Sequence, residues 1–174
     1  MLEGDSILND SRLADFKKAI ENGEYSFQGS KIIKELQSLH ITRTVRLLNT
    51  DQVLENNRSV VDALINNQIA RSRIVEIKMN ASNLDIRIKA RIDALTNYLL
   101  TTYADFLKKN YNTQTERKSV INSLFAFVNK TKSEIEVVQK FSDLIIDDID
   151  KSCWSLKSII DCLKINDAVV RNNI

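Results

Sequence analysis

The chain has 174 residues, 43% hydrophobic and 28% charged, with a formal net charge of +2. These values exclude a disordered or membrane-embedded polypeptide and announce no bulk polyanion partner, and the length suits one domain with its own core. The stretch Met1 to Ser11 carries Glu3, Asp5 and Asp10 where a secretory or mitochondrial signal needs cations, and no apolar run reaches bilayer length, so a soluble cytoplasmic protein is expected.

Proline is absent and the only glycines are Gly4, Gly23 and Gly29. Sheets need many tight turns and long helices need few, so the missing punctuation predicts an all-α fold. A first short helix is expected from Ser11 to Asn22, with Leu13, Phe16 and Ile20 on one face and Gly23 as its C-terminal stop. Tyr25 and Phe27 fall in a loop. A second helix follows Ser30 as N-cap, turns Ile32, Leu36 and Leu39 inward, and weakens through the β-branched stretch Ile41 to Val45. Asn49, Thr50 and Asp51 mark a break.

From Gln52 to Lys109 the pattern is helical again. Ile74, Ile77, Ala81, Leu84, Ile88, Ile92, Leu95, Leu99 and Phe106 step mostly by three or four, a coiled-coil-like seam in which Asn80 to Asn83 leave room for a local kink. After a connection at Asn110 to Asn112, the run Thr113-Gln114-Thr115-Glu116 has the S/T-x-x-E form of a capping box and starts a last helix. Its apolar face passes through Val120, Leu124, Phe127, Ile135, Val138, Ile145, Ile149, Leu156, Ile160 and Leu163, with Ser152 as the expected interruption. The chain thus divides into short N-terminal helices (1–50), a long-helix core arranged as an elongated hairpin or bundle (51–165) and a polar tail (166–174). Two helices of this length, each about 75 Å, leave apolar positions such as Met79, Ile86, Phe125, Phe141 and Trp154 without intramolecular cover, which predicts a homo-oligomer.

No catalytic or metal constellation is readable, and no cofactor is implied. There is no glycine-rich phosphate loop and no nucleophile elbow, and His40 has no ligand cluster beside it. Cys153 and Cys162 would stand about 180° apart on a helix, so they cannot pair there. The acids Asp147, Asp148 and Asp150 spread around a helix rather than converging. A non-enzymatic protein is expected.

Charge is unevenly distributed. Residues 58–118 hold eleven Lys or Arg against six acids, a local excess of +5. On a helical wheel the apolar seam centres at about 260°; Arg71, Lys78 and Lys89 lie at about 350°, and Arg73, Arg87 and Arg91 at about 190°. These two basic rails allow two readings: pairing with acids of the last helix such as Glu134, Glu136, Asp143, Asp147 and Asp148, or tracking of successive phosphates with Tyr98, Tyr103 and Tyr111 as nearby stacking aromatics.

The segment Ile88-Lys89-Ala90-Arg91-Ile92-Asp93 resembles the K-A-R-L-D segment of the recombination mediator proteins of T4-like phages, the UvsY family. Trp154-Ser155-Leu156-Lys157-Ser158-Ile159 is similar to the family's aromatic-x-Ile-Lys-x-Ile close, with Asp147 and Ile149 also matching; the resemblance spans residues 70–163. It implies a helical accessory protein of the host cytoplasm that oligomerises, binds single-stranded DNA and helps a RecA-like recombinase replace single-strand-binding protein. The family's DNA-binding Lys and Arg fall on Lys89 and Arg91, with Arg87, Arg71, Arg73 and Lys78 on the same rails, while Ile88, Ile92, Leu95, Trp154, Leu156 and Ile160 become packing positions. The alternative is a helical structural or assembly protein, such as a virion component, scaffold or adaptor.

Overall fold

A computed structural model describes residues 7–45 and 57–172, and every regular element among them is helical. In chain order these are α1 (Ser11–Glu21), α2 (Gly29–Val45), α3 (Asn57–Thr102), α4 (Ala104–Asn110), α5 (Gln114–Ser123), a 3-10 turn (Ala126–Val128) and α6 (Asn129–Asn172). The all-α expectation holds. The break expected at Asn49 to Asp51 lies outside the described residues.

Local chemistry sets the boundaries. The Asp10 carboxylate accepts from the backbone N–H of Arg12 (2.9 Å) and Leu13 (3.2 Å), which caps α1. At the other end Gly23 takes φ +83°, its N–H donates to Ile20 and the Glu24 N–H donates to Ala19. Those two bonds satisfy the last carbonyls of α1 through a left-handed residue, the stop read from Gly23. Helix α2 begins at Gly29, so Ser30 lies inside the first turn rather than at the cap, and the β-branched stretch stays helical to Val45.

The long helices differ from expectation in where they break. α3 runs unbroken through Asn80 to Asn83 and is interrupted at Tyr103, which leaves helical geometry (φ −108°, ψ 26°). Backbone bonds still cross the step, from the Tyr103 N–H to Leu99 and from the Leu107 N–H to Tyr103. The capping box at Thr113 and Glu116 forms in both directions. The helix it starts, however, ends at Ser123, where tighter bonds from the N–H groups of Leu124, Phe125 and Val128 to residues three earlier create the 3-10 turn. α6 then continues past Ser152 into the segment read as a polar tail, ending at Asn172.

The chain forms two compact units. One combines the described residues up to Gln28 with Ala81–Val137; the other combines Gly29–Asn80 with the described residues from Val138 onward. In the first, Phe16 is the hub: its ring meets Tyr25 (5.6 Å), Phe127 (5.5 Å) and Phe125 (6.4 Å) edge-on, over a core containing Leu95, Leu99, Leu107 and Ile121. Phe125, expected among the leftover apolar positions, is therefore buried, because the 3-10 turn rotates it inward. In the second, Leu36, Val60, Ile74, Ile77, Ile145 and Ile149 form the core.

Ile88 and Leu95 are fully covered within the first unit, and Ile92 is half-buried. In the second, Leu156 and Ile160 are half-buried, while Trp154 stands 72% exposed. Val61, Ile65 and Ile69 form an exposed row at four-residue spacing on α3, and Met79 and Ile86 are exposed as expected.

Candidate nucleic-acid interface

All six rail cations project from α3. Their partners separate them into two groups that follow the two units.

In the second unit the cations meet acids. Arg71 forms a two-pronged bond with Asp150, Nε to Oδ1 at 2.7 Å and Nη2 to Oδ2 at 3.1 Å. Lys78 Nζ meets Asp143 Oδ1 at 2.5 Å. The two cations are seven residues apart, and so are the two acids in reverse order, so α3 and α6 run in opposite directions here with ion pairs repeating at the heptad. Arg73 bridges Glu35 of α2 and Glu76 of its own helix, both at 2.8 Å, and these carboxylates push its pKa up. The bond to Asp150 raises Arg71 in the same way, while Arg71 holds Asp150 below the usual carboxylate range.

α2 adds a third link to α6. The Arg43 side chain is only 6% exposed and pairs with Asp148; His40 Nδ1 accepts from Arg43 Nη2 at 3.4 Å and lies 3.8 Å from the same carboxylate. Burial lowers the Arg43 pKa, and its Nε has no hydrogen-bond partner. His40 thus belongs to an ion-pair cluster, and no group of three His, Cys, Asp or Glu among the described residues could hold a metal ion. Cys153 is half-buried, Cys162 is exposed, and both are free thiols.

In the first unit the rails look different. Lys89 reaches only Asp85, one turn back on its own helix (2.6 Å), with 59% of its side chain exposed; the hydrogen bond to Asp85 raises its pKa. Arg87 lies over the Tyr25 ring at 5.5 Å in a cation-π contact and has no ion pair among the described residues. Arg91 is exposed and has no ion pair among the described residues. Of the tyrosines considered for stacking, Tyr98 and Tyr103 are committed elsewhere: both hydroxyls donate to Asp10 Oδ2, at 3.3 and 2.9 Å, and Arg12 covers the Tyr98 ring at 4.0 Å. Tyr111 is half-buried at the end of α4.

No protein-family model matches this chain, and neither curated proteins nor solved structures give a match. Among the described residues no helix is long and apolar enough to cross a membrane.

Of the last-helix acids offered as partners for the rails, Asp143 takes Lys78, whereas Asp148 takes Arg43 of α2 and Asp147 takes Lys151 of its own helix; Asp150, Glu35 and Arg43 were not foreseen. Glu35 and Arg43 act from α2, and no feature of their local sequence signals a partner so far away in the chain. Asp10 was missed as a hub, although an Asp before the first periodic apolar residue is a cap signal that points to it.

Proposed function

We propose that this protein is a non-catalytic, oligomeric helical accessory protein that binds single-stranded DNA and helps a RecA-like recombinase displace single-strand-binding protein in the cytoplasm. The observation that carries the reading is the state of the K-A-R segment. Arg91 is exposed without an ion pair among the described residues, and Lys89, itself exposed, is paired one turn away on its own helix with the half-buried Asp85. Such a pair contributes little and is readily exchanged for phosphate. The reading puts Lys89, Arg91 and Arg87 first in the contact set, because Arg71, Arg73 and Lys78 would each have to give up a carboxylate on another helix.

Fluorescence anisotropy with labelled oligothymidine at two salt concentrations tests this. The Lys89→Ala/Arg91→Ala variant should bind more weakly, and the slope of log affinity against log salt should flatten by about 0.7 for each lost contact. A folded double variant that binds like the parent overturns the assignment.

The assembly-protein reading draws on a different observation, the heptad ion pairs of Arg71 and Lys78 together with the exposed row Val61, Ile65 and Ile69. Self-association through that row belongs to both readings. Sedimentation equilibrium of Ile65→Lys/Ile69→Lys should return a mass closer to one chain than the parent's, with an unchanged helical spectrum. Absence of DNA binding by an assembled parent chain would leave the assembly reading standing alone.

A further inference from the structure

Resting on the DNA-binding reading, we propose that the short-helix segment of the first unit, around the α4–α5 turn, is a second phosphate-contacting surface for single-stranded DNA, carried by Lys108, Lys109 and Lys118.

Charge content points there first. Residues 106–133 contain six Lys or Arg (108, 109, 117, 118, 130 and 132) and one acid, Glu116, a local charge of +5 in a chain whose total is +2. None of the six is in an ion pair among the described residues, in contrast to Arg71, Arg73 and Lys78 of the second unit. Glu116, the one carboxylate, is bound to the Thr113 N–H at 3.0 Å in the capping box. Asp105 lies one turn before Lys108 and Lys109 on α4 and forms no ion pair with either.

The turn is built to hold these lysines in place. Tyr111 ends α4 in extended geometry, and Thr113 opens α5. Arg117 folds back across the turn, its Nε donating to the Tyr111 carbonyl at 2.9 Å and its Nη2 to the Asn112 carbonyl at 3.2 Å. Leu107 and Ile121 are fully buried beneath. Arg117 is therefore a positioning residue, and Lys108, Lys109 and Lys118 remain exposed around a fixed backbone. Holding cations on a rigid frame reduces the ordering cost of binding a polyanion.

The surroundings fit a nucleic acid better than a lipid surface. Interfacial membrane binding requires large apolar side chains beside the cations. None of the exposed large hydrophobic residues falls between Ala104 and Glu136, whereas the turn carries half-buried Tyr111 and neutral hydrogen-bonding Asn110, Asn112 and Gln114. Lysines act as point charges on phosphates without reading bases, so the surface should be indifferent to sequence.

The test uses the full chain and oligothymidine, measured by anisotropy across a salt series. Lys108→Ala/Lys109→Ala/Lys118→Ala should keep its helical spectrum and lower affinity at least tenfold at low salt. Its salt slope should fall by about 2, at about 0.7 per phosphate contact for a single strand. Lys118→Gln alone should lower the slope by about a third of that, which keeps the test decisive if the triple variant folds poorly. A parent chain that does not bind oligothymidine overturns both the inference and the reading it rests on. If instead the parent binds, Lys89→Ala/Arg91→Ala weakens it and the lysine variants keep the parental slope, the inference alone fails. Equal loss of binding to phosphatidylserine vesicles, or competition by polyglutamate as effective as by unlabelled oligothymidine, would show a generic anion surface and overturn it as well.

Discussion

Arg71 and Asp150 face each other across α3 and α6 with both guanidinium prongs engaged, at 2.7 and 3.1 Å. Two-pronged geometry places this pair at the favourable end of exposed ion pairs, but both side chains are a third or more exposed, so the coupling should be only about 0.5–1 kcal/mol. A double-mutant cycle with Arg71→Ala and Asp150→Ala, read by chemical denaturation, measures it. Because Arg71 lowers the Asp150 pKa, the coupling is complete above the ordinary aspartate range and disappears as pH falls through the lowered value. Coupling that persists once Asp150 is protonated would contradict an ionic origin.

The second prediction concerns Asp10, a buried carboxylate that receives two backbone N–H groups and two tyrosine hydroxyls. Asp10→Ala removes a helix cap worth about 1 kcal/mol together with the acceptor of two tyrosine hydroxyls, so it should destabilise by about 2–4 kcal/mol in a denaturant titration. A loss below 1 kcal/mol would show that water replaces the carboxylate at no cost.

Tyr103 should report the same hub at alkaline pH. Burial, then the bond to Asp10, pushes its pKa up to about 12. A raised folded pKa means the stabilisation is intact below the ordinary tyrosine value near 10 and is lost as pH climbs toward 12. Phenolate absorbance should therefore show a late step, together with loss of helical signal, and Tyr103→Phe should abolish it.

Acid should act on the α5 cap. The Thr113 N–H holds Glu116 below its ordinary pKa, so the capping box is intact at neutral pH and opens as pH falls through that lowered value. Thr113→Ala should remove about 1 kcal/mol at neutral pH. Hydrogen exchange at Thr115 to Arg117 should quicken in the variant, and in the parent chain on acidification.

Phe16 offers the largest single loss. Its ring is 1% exposed and touches three other aromatic rings, so Phe16→Ala should cost about 3–5 kcal/mol, measured as a shift of the denaturation midpoint. Phe16→Leu should recover about half.

Those residues also mark what could be read in advance. The Thr113–Glu116 box and the Gly23 stop were legible because each is a local set of hydrogen bonds, complete within six residues. The breaks at Tyr103 and at Leu124 to Val128 were not, because no glycine or proline marks them and the apolar spacing through Val120, Leu124 and Phe127 continues as a helix would. The partner of the second break is distant: Phe16 packs against Phe125 and Phe127, more than a hundred residues along the chain. The basic rails divide for the same reason. Lys89 and Arg71 share one face of a wheel, yet only Arg71 has an acid of α6 beside it, and that depends on register between helices, which a one-dimensional pattern does not contain.

Trp154 is the only tryptophan and lies on an exposed face of α6, at 72% of its full accessibility. Its indole is already surrounded by water in the folded chain, so the emission maximum should hardly move when the protein unfolds. A blue shift on raising concentration or adding a ligand would instead report that something had come to lie on α6. The chain thus carries an intrinsic fluorophore that is nearly silent to folding and responsive to whatever docks beside it.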